Sequence, residues 1–237
     1  YEAYIVGGCV RDSLLGKQPN DWDITTSAKP KEVKAIFHRT IDTGIQHGTV
    51  TVLVDREILD DGSGSLASHT DYAFEVTTYR VDGVYTDHRR PESVCFTASL
   101  EEDLKRRDFT INAMAYNPEQ GVIDIFGGQE DLEKGIIRCV GEASERFDED
   151  ALRILRAVRF AAQLDFVIEN QTREAMRDQA KFLKDISAER ICTELTKMIV
   201  SKHPERLEEA YELGLTNIFL PEFDRMMQTP QNNPYHL

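Results

Sequence analysis

Asp21 and Asp23 stand two residues apart in a run that predicts a β-strand over 22–25. Side chains at that spacing leave the same face of a strand, so the two carboxylates are expected close together. At about 4 Å and an effective dielectric of about 20, they would repel by roughly 4 kcal/mol. A bound divalent cation reverses that repulsion, which makes the pair a candidate metal site. A third carboxylate, Glu75, lies in a second strand-like run, 72–80, where Tyr72, Phe74 and Val76 are expected to pack inward and Glu75 to face the other way. Three carboxylates on neighbouring strands suit two magnesium ions about 3.5–4 Å apart, one activating a hydroxyl nucleophile and the other neutralising a departing pyrophosphate. Taken alone, Asp-x-Asp also describes a polar strand end, and Glu75 an ordinary solvent-facing residue.

Upstream, Gly7-Gly8 follows a strand and opens a helix, a place where backbone N–H groups and the positive helix end can approach a triphosphate. Arg11, one turn in, adds charge, although a Gly-Gly pair is equally a plain turn. Further along, Glu149, Asp150 and Arg153 fall at the start of a predicted helix over 148–164, capped by Asp148, with Leu152, Leu155, Val158 and Ala162 as its buried stripe. The offsets place both acids beside the arginine. Acids in a first turn also simply favour the helix dipole, and a Glu–Arg pair four apart contributes only ~0.2–0.5 kcal/mol.

These groups depend on an alternation of strands and helices in the first part of the chain. Strands are predicted at 3–6, 22–25, 49–54, 72–80 and 122–125; helices at 9–15, 31–37 (entered through Pro30), 101–107, 111–116 and after Gly127-Gly128. The Gly-, Ser- and Asp-rich stretch 55–71 reads as a hairpin excursion. After about Ser144 only helices are expected, 148–164, 188–200 and 204–213. The sequence therefore divides into an α+β domain, 1–143, and a helical domain, 144–237.

A net charge of −14 does not suit a nucleic-acid binder as a whole. Its basic residues nevertheless cluster, at Arg89-Arg90, at Lys105-Arg106-Arg107 and at Arg153, Arg156 and Arg159, enough for a positive groove on an acidic body. Four cysteines without a Cys-x-x-Cys pair suggest reduced thiols rather than zinc or disulfides. No apolar run reaches the roughly 18 residues of a membrane span, and Tyr1 opens directly into a strand, so a cytoplasmic protein is expected.

Read as a unit, Tyr4-Ile5-Val6-Gly7-Gly8-Cys9-Val10-Arg11-Asp12, Leu14-Leu15-Gly16 and Asp21-Trp22-Asp23-Ile24-Thr25-Thr26 resemble the first motif of the class II tRNA nucleotidyltransferase and bacterial poly(A) polymerase family. Phe74-Glu75-Val76-Thr77-Thr78-Tyr79-Arg80 is similar to the strand bearing that family's third carboxylate, and Arg89-Arg90-Pro91-Glu92-Ser93 to part of its flexible loop. Arg106-Arg107-Asp108-Phe109-Thr110-Ile111-Asn112-Ala113 resembles the ribose-binding motif. Asp124 with Phe126-Gly127-Gly128 and Asp131-Leu132 resembles the hinge, and Glu149-Asp150-Ala151-Leu152-Arg153 the nucleotide-selecting motif. Thr43-Gly44-Ile45-Gln46-His47-Gly48-Thr49-Val50 is closer to the CCA-adding branch, His47 reading as a turn residue.

The resemblance implies a polymerase-β-like head with a mixed or antiparallel sheet, followed by a helical neck and the start of a body. It implies Asp21, Asp23 and Glu75 as catalytic magnesium ligands, and Gly7, Gly8, Arg11, Arg107, Asp108, Asn112, Asp150, Arg153, Arg156 and Arg159 as nucleotide-binding residues. Asp150 would accept from the exocyclic amine of cytosine or adenine while Arg153 donates to the adjacent ring nitrogen, contacts that uracil and guanine invert. Asp108 and Asn112 would read the ribose 2′-hydroxyl, with Asp108 also a helix cap. The implied reaction adds C and A from CTP and ATP to the tRNA 3′ end, with a homodimer a possible assembly. The loop at 82–94 favours an enzyme able to add the terminal A. Addition of A alone or CC alone, poly(A) synthesis, a small-molecule nucleotidyltransferase and a non-catalytic RNA-binding module are the alternatives. Asn233-Pro234-Tyr235-His236-Leu237 resembles the entry to a further helical, sometimes HD-type, domain, which implies truncation.

Overall fold

A computed structural model of the chain describes residues 1–55, 72–83 and 94–230. The excursion after Asp55, the Arg89-Arg90 loop motif and the closing Asn233–Leu237 run lie outside the described residues. Backbone contacts separate two compact units, one within Tyr1–Gly83 and Ser93–Leu132, the other including Glu133–Leu237.

The first unit is built on a seven-stranded mixed sheet. Its strands are β1 (Ala3–Val6), β2 (Asp23–Thr26), β3 (Thr40–Gly44), β4 (Thr49–Val54), β5 (Tyr72–Thr78), β8 (Met114–Asn117) and β9 (Gly121–Asp124), in the order β3-β4-β5-β2-β1-β8-β9. A separate two-stranded ribbon pairs β6 (Arg80–Asp82) with β7 (Val94–Phe96). In the large sheet β2 and β5 run parallel, and the other pairs are antiparallel. After α1 (Gly8–Leu14) and β2, the chain crosses over through α2 (Pro30–Ile36), with Pro30 in the first turn, where its missing N–H costs nothing.

Register sorts the side chains into two faces. On one face Ile24, Val76 and Val50 are aligned and pack with Ala28 and Val33 under α2. On the other, Tyr4, Val6 and Ala115 are covered by Leu100 and Leu104 of α3 (Leu100–Lys105). The remainder of that second face, on β2, β5 and β4, is polar: Asp23 and Thr25, Glu75 and Thr77, Thr51 and Thr49. The sheet thus carries a shelf of carboxylates and hydroxyls beside its own core.

The run 111–116, expected as a helix, instead forms a 3-10 turn, Thr110–Asn112, followed by β8. Methionine and alanine favour helices, but Met114–Asn117 is paired on both sides, by β1 and β9, and those ladders override local propensity.

The second unit contains α5 (Ala143–Glu149), α6 (Leu152–Leu164), α7 (Asn170–Gln179) and α8 (Ala188–Ile199), then three short helices, α9 (Leu207–Glu212), α10 (Thr216–Phe219) and α11 (Pro221–Met227). It starts ahead of the boundary drawn at 143–144. Ile136–Ile137 (β10) pairs in parallel with Val167–Ile168 (β11), and the Cys139 N–H donates to Thr172 Oγ1, tying this segment to the helices. The helix expected over 148–164 is two helices: Asp148 lies inside α5, and Asp150 occupies an extended break between α5 and α6. α6 is the core helix, burying Ile154, Leu155, Ala157, Val158, Ala161 and Ala162. All four cysteines are free thiols.

Candidate active site

Asp23 opens β2 and stands opposite Glu75 of β5 in the parallel register, which places the two side chains on the same face. Asp21 sits just before the strand rather than within it, exposed to solvent. Burial holds the Asp23 carboxyl above the usual carboxylate range; the charge of Asp21 raises it further, Arg107 opposes, and Glu75 adds to the rise. The ionised form of Asp23 is thus opposed both by desolvation and by its acidic neighbours. Among the described residues no three acidic, His or Cys side chains close into a set that could hold a metal unaided. Glu75 stands beside Asp23 on the neighbouring strand and on the same face, the placement expected of a third carboxylate.

Arg107, the opposing charge, is seated by Asp103. The Asp103 side chain is fully buried, receives Thr25 Oγ1 at 3.0 Å and Arg106 at 2.9 Å, and lies 3.6 Å from Arg107 Nη2. Burial would raise its carboxyl, but the guanidinium groups of Arg106 and Arg107 and the hydrogen bonds from Arg106 and Thr25 hold it below the usual range. The other side of Arg107 is fixed by glycine. Gly7 has φ +83°, a conformation that favours glycine, and a Cβ there would stand 2.9 Å from Arg107 Nη1, so a side chain at this position would push the guanidinium aside.

The residues expected at the ribose form one connected group. Arg11 Nη1 donates to Asn112 Oδ1 at 2.6 Å, and Asn112 Nδ2 donates to Asp108 Oδ1 at 3.1 Å, the same oxygen that accepts the Phe109 N–H. Asp108 does not cap the 3-10 turn as expected: Phe109 holds the cap position without a side-chain bond, and Asp108 instead accepts the N–H of its neighbour and remains joined to Asn112. Gly8 completes the group, since a Cβ there would lie 3.6 Å from Arg11 Nη2. The turn is braced from below by α4 (Gly128–Lys134). Asp124 accepts from the N–H groups of Gly128 and Gln129, and Thr110 Oγ1 donates to Asp131 at 2.7 Å. A Cβ at Gly128 would come within 2.3 Å of the Thr110 carbonyl oxygen.

In the second unit Glu149 and Arg153 meet at 2.6 Å across the helix break, and Glu149 also grips Arg146 at 2.6 Å. Arg153 donates in addition to the Arg146 carbonyl. Asp150 is not on the helix face with Arg153, as its spacing suggested. Its Oδ1 accepts the Leu152 N–H and its Oδ2 accepts Arg190 Nη2 at 2.8 Å. Arg156 is part-exposed, its guanidinium 5.4 Å from the centre of the Phe160 ring. Arg159 is buried against Glu194 at 2.7 Å, with Gln163 and the Phe160 ring, and fastens α6 to α8.

Sequence reasoning missed Asp103 and Arg190. The three- and four-residue spacing from Asp103 to Arg106 and Arg107 was a local signal for the first. Arg190 reaches Asp150 across 40 residues and had no local signal.

The family model described as the poly A polymerase head domain matches residues 3–138, and one described as a probable RNA and SrmB-binding site of polymerase A matches 165–227. The CCA-adding enzyme of Lactiplantibacillus plantarum is 51% identical over 227 residues, which cover 96% of this chain and 50% of that protein. That of Geobacillus thermodenitrificans is 52% identical, with 93% and 51% covered. This chain spans about half the length of these curated relatives. The Bacillus stearothermophilus CCA-adding enzyme in complex with CTP aligns with a TM-score of 0.77 at 45% identity, over 90% of this chain and 48% of that one. The Thermotoga maritima CCA-adding enzyme complexed with tRNA aligns at 0.70 and 27% identity, over 93% and 48%. The glycine turn, the paired strand carboxylates and the Arg-Arg-Asp turn thus fall within a matched head domain, and the chain belongs to the poly A polymerase head-domain family.

Proposed function

We propose that this chain carries the catalytic part of a template-independent tRNA nucleotidyltransferase, which adds C and A from CTP and ATP to the tRNA 3′ end and releases pyrophosphate. The carrying observation is the alignment of Asp23 with Glu75 on parallel strands, with Asp21 beside them raising the Asp23 carboxyl. The relatives named CCA-adding enzymes support the choice of reaction.

The residues suit magnesium because it is commonly held by one or two carboxylates together with substrate phosphates and water rather than by a full protein cage. Asp21 and Asp23 would hold it, and their mutual repulsion would be relieved on binding. When bound, the ion supplies Lewis-acid stabilisation of charge on the phosphoryl oxygens. The chain's own contribution is placement. Gly7 and Gly8 let the backbone approach the triphosphate closely, Arg107 and Arg11 add fixed positive charge there, and Asp108 with Asn112 offers polar atoms to the ribose hydroxyl. The RNA 3′-hydroxyl gives up its proton to solvent as its oxygen attacks the α-phosphorus, the new O–P bond forms, and the bond to pyrophosphate breaks in line.

Base choice belongs to the second unit. Asp150 accepts from the amine of cytosine or adenine and Arg153 donates to the neighbouring ring nitrogen, so the two side chains take the part of a template base. Arg156, part-exposed on the same helix, adds positive charge for phosphate. The setting is the cytoplasm; no helix among the described residues is long and apolar enough to cross a membrane.

Label transfer from α-labelled CTP tests the acceptor class. Incorporation into a tRNA transcript lacking its CCA end, with none into aminoglycosides, is the expected result. The reverse would assign a small-molecule nucleotidyltransferase.

A further inference from the structure

We infer that Asp103 is a further positioning residue for the transfer reaction, one that holds the Arg107 guanidinium over the Gly7 turn where a triphosphate would lie. This rests on the proposed reading of Arg107 as a triphosphate contact. The Asp103 side chain is fully buried, so it acts through Arg107 rather than on the substrate.

Asp103 lies in α3, whose apolar side, Leu100 and Leu104, is sunk against Tyr4, Val6 and Ala115 of the sheet. From that base both carboxylate oxygens are assigned. Oδ1 accepts Arg106 Nε at 3.0 Å and Arg106 Nη2 at 2.9 Å, together with the Arg80 N–H at 3.3 Å. Oδ2 accepts Thr25 Oγ1 at 3.0 Å and faces Arg107 Nη2 at 3.6 Å. The two neighbouring arginines thus divide the carboxylate, Arg106 taking one oxygen and leaving the other for Arg107. Thr25 stands two residues after Asp23 on β2 and shares its face. One buried carboxylate therefore ties the strand that carries Asp23 to the arginine above the glycine turn.

Arg107 needs that support. Burial pulls its guanidinium below the ordinary arginine pKa, and the charge of Asp103 is the strongest influence opposing the fall, ahead of Asp23 and Asp108. Its Nη1 lies 2.9 Å from where a Cβ of residue 7 would stand, so the fork has reached the turn that leads into α1. A second observation concerns the donors that remain. Arg107 Nε is buried with no hydrogen-bond partner among the described residues. Buried donors are rarely left unmatched, and a phosphate oxygen entering over the glycine turn would satisfy this one with a charge-assisted bond.

The test is kcat, KM for CTP and the inhibition constant of inorganic pyrophosphate on one RNA acceptor, for the unmodified chain, Asp103→Asn, Arg107→Met and the double variant. Asparagine keeps the shape of Asp103 and gives up its charge. Asp103→Asn is expected to raise KM for CTP and the pyrophosphate constant about tenfold each, within the coupling usual for residues of one ion-pair network. In the Arg107→Met background the same change is expected to add less than about twofold, because residues acting as one unit are not additive. Thr25→Val removes one hydrogen bond that locates the carboxylate, and is expected to raise the same two constants by about two- to threefold. It also serves as the readout if the asparagine variant does not fold. Unchanged constants in a folded Asp103→Asn variant, or a full effect of that change in the Arg107→Met background, would overturn the inference and leave Asp103 a staple of the fold. Unchanged constants in Arg107→Met would instead remove the triphosphate role of Arg107 on which the inference stands.

Discussion

Asp23 and Asp150 are both aspartates at the edge of a regular element, but their surroundings differ in sign. Asp23 is half-buried beside Asp21 and opposite Glu75, with its carboxyl held above the usual range by burial and by those acids. Asp150 is bracketed by donors, one backbone N–H and one guanidinium. On the proposed reading, the first arrangement is a local liability that a bound cation would relieve. The second is settled in advance, as a fixed acceptor must be if it is to distinguish one base edge from another. Under the proposed function, transfer chemistry and base choice would draw on opposite uses of the same side chain.

The sharpest way to break the contrast is Asp23→Asn. Activity is expected to fall on the order of a thousandfold or more, measured as kcat in magnesium, because the cation loses a charged ligand. Stability is expected to rise. A carboxyl whose pKa is raised in the folded state contributes stability below its unfolded pKa and loses that contribution as pH rises through the folded one. At neutral pH ionised Asp23 therefore weakens the fold, and the neutral amide should melt at a higher temperature there. That gain should vanish in acid, where both side chains are uncharged. A lower melting temperature at neutral pH would show that Asp23 is not held against its neighbours.

The same substitution logic at the second unit should act on choice rather than on speed. Arg153→Ala is expected to reduce discrimination against UTP and GTP by ~1–3 kcal/mol, read from competing incorporation of the four nucleotides. Equal relative incorporation before and after would remove Arg153 from base selection. Gly128→Ala tests the brace under the ribose turn: with the Thr110 oxygen 2.3 Å from the new Cβ, it is expected to destabilise the first unit by about 1–3 kcal/mol in chemical denaturation. A neutral result would mean that the turn and α4 are free to separate. Asp108→Ala should weaken preference for NTP over dNTP by about 1 kcal/mol. If it only lowers stability, the carboxylate serves the turn alone.

Much of the first unit could be read from residues in advance. Strands 3–6 and 49–54 coincide with β1 and β4, and Pro30 opened α2 as expected. What escaped depended on distant partners. Met114–Asn117 looked helical because its residues are, and only pairing with β1 and β9 makes it a strand. The break at Asp150 was invisible for a related reason. Asp148 and Asp150 are both good caps, and the choice between them falls to Asp150, whose carboxylate meets Leu152 on one side and Arg190 on the other. Among the candidate site residues, strand alternation anticipated the shared face of Asp23 and Glu75, and motif order anticipated the neighbourhood of Asp108 and Asn112. The partner of Arg159 was not foreseen, because a helical arginine triplet gives no sign of a buried Glu194 opposite.

The central claim is that this chain extends tRNA ends by itself choosing C and A. Its most direct test is incubation in magnesium with tRNA transcripts ending before CCA, after C and after CC, each with single NTPs and with CTP plus ATP. The account expects CTP to add two residues to the shortest end and one to the next, and ATP to complete the CC end and then stop. Long A tails on any RNA would contradict it in favour of poly(A) synthesis, as would incorporation that ignores which nucleotide is supplied.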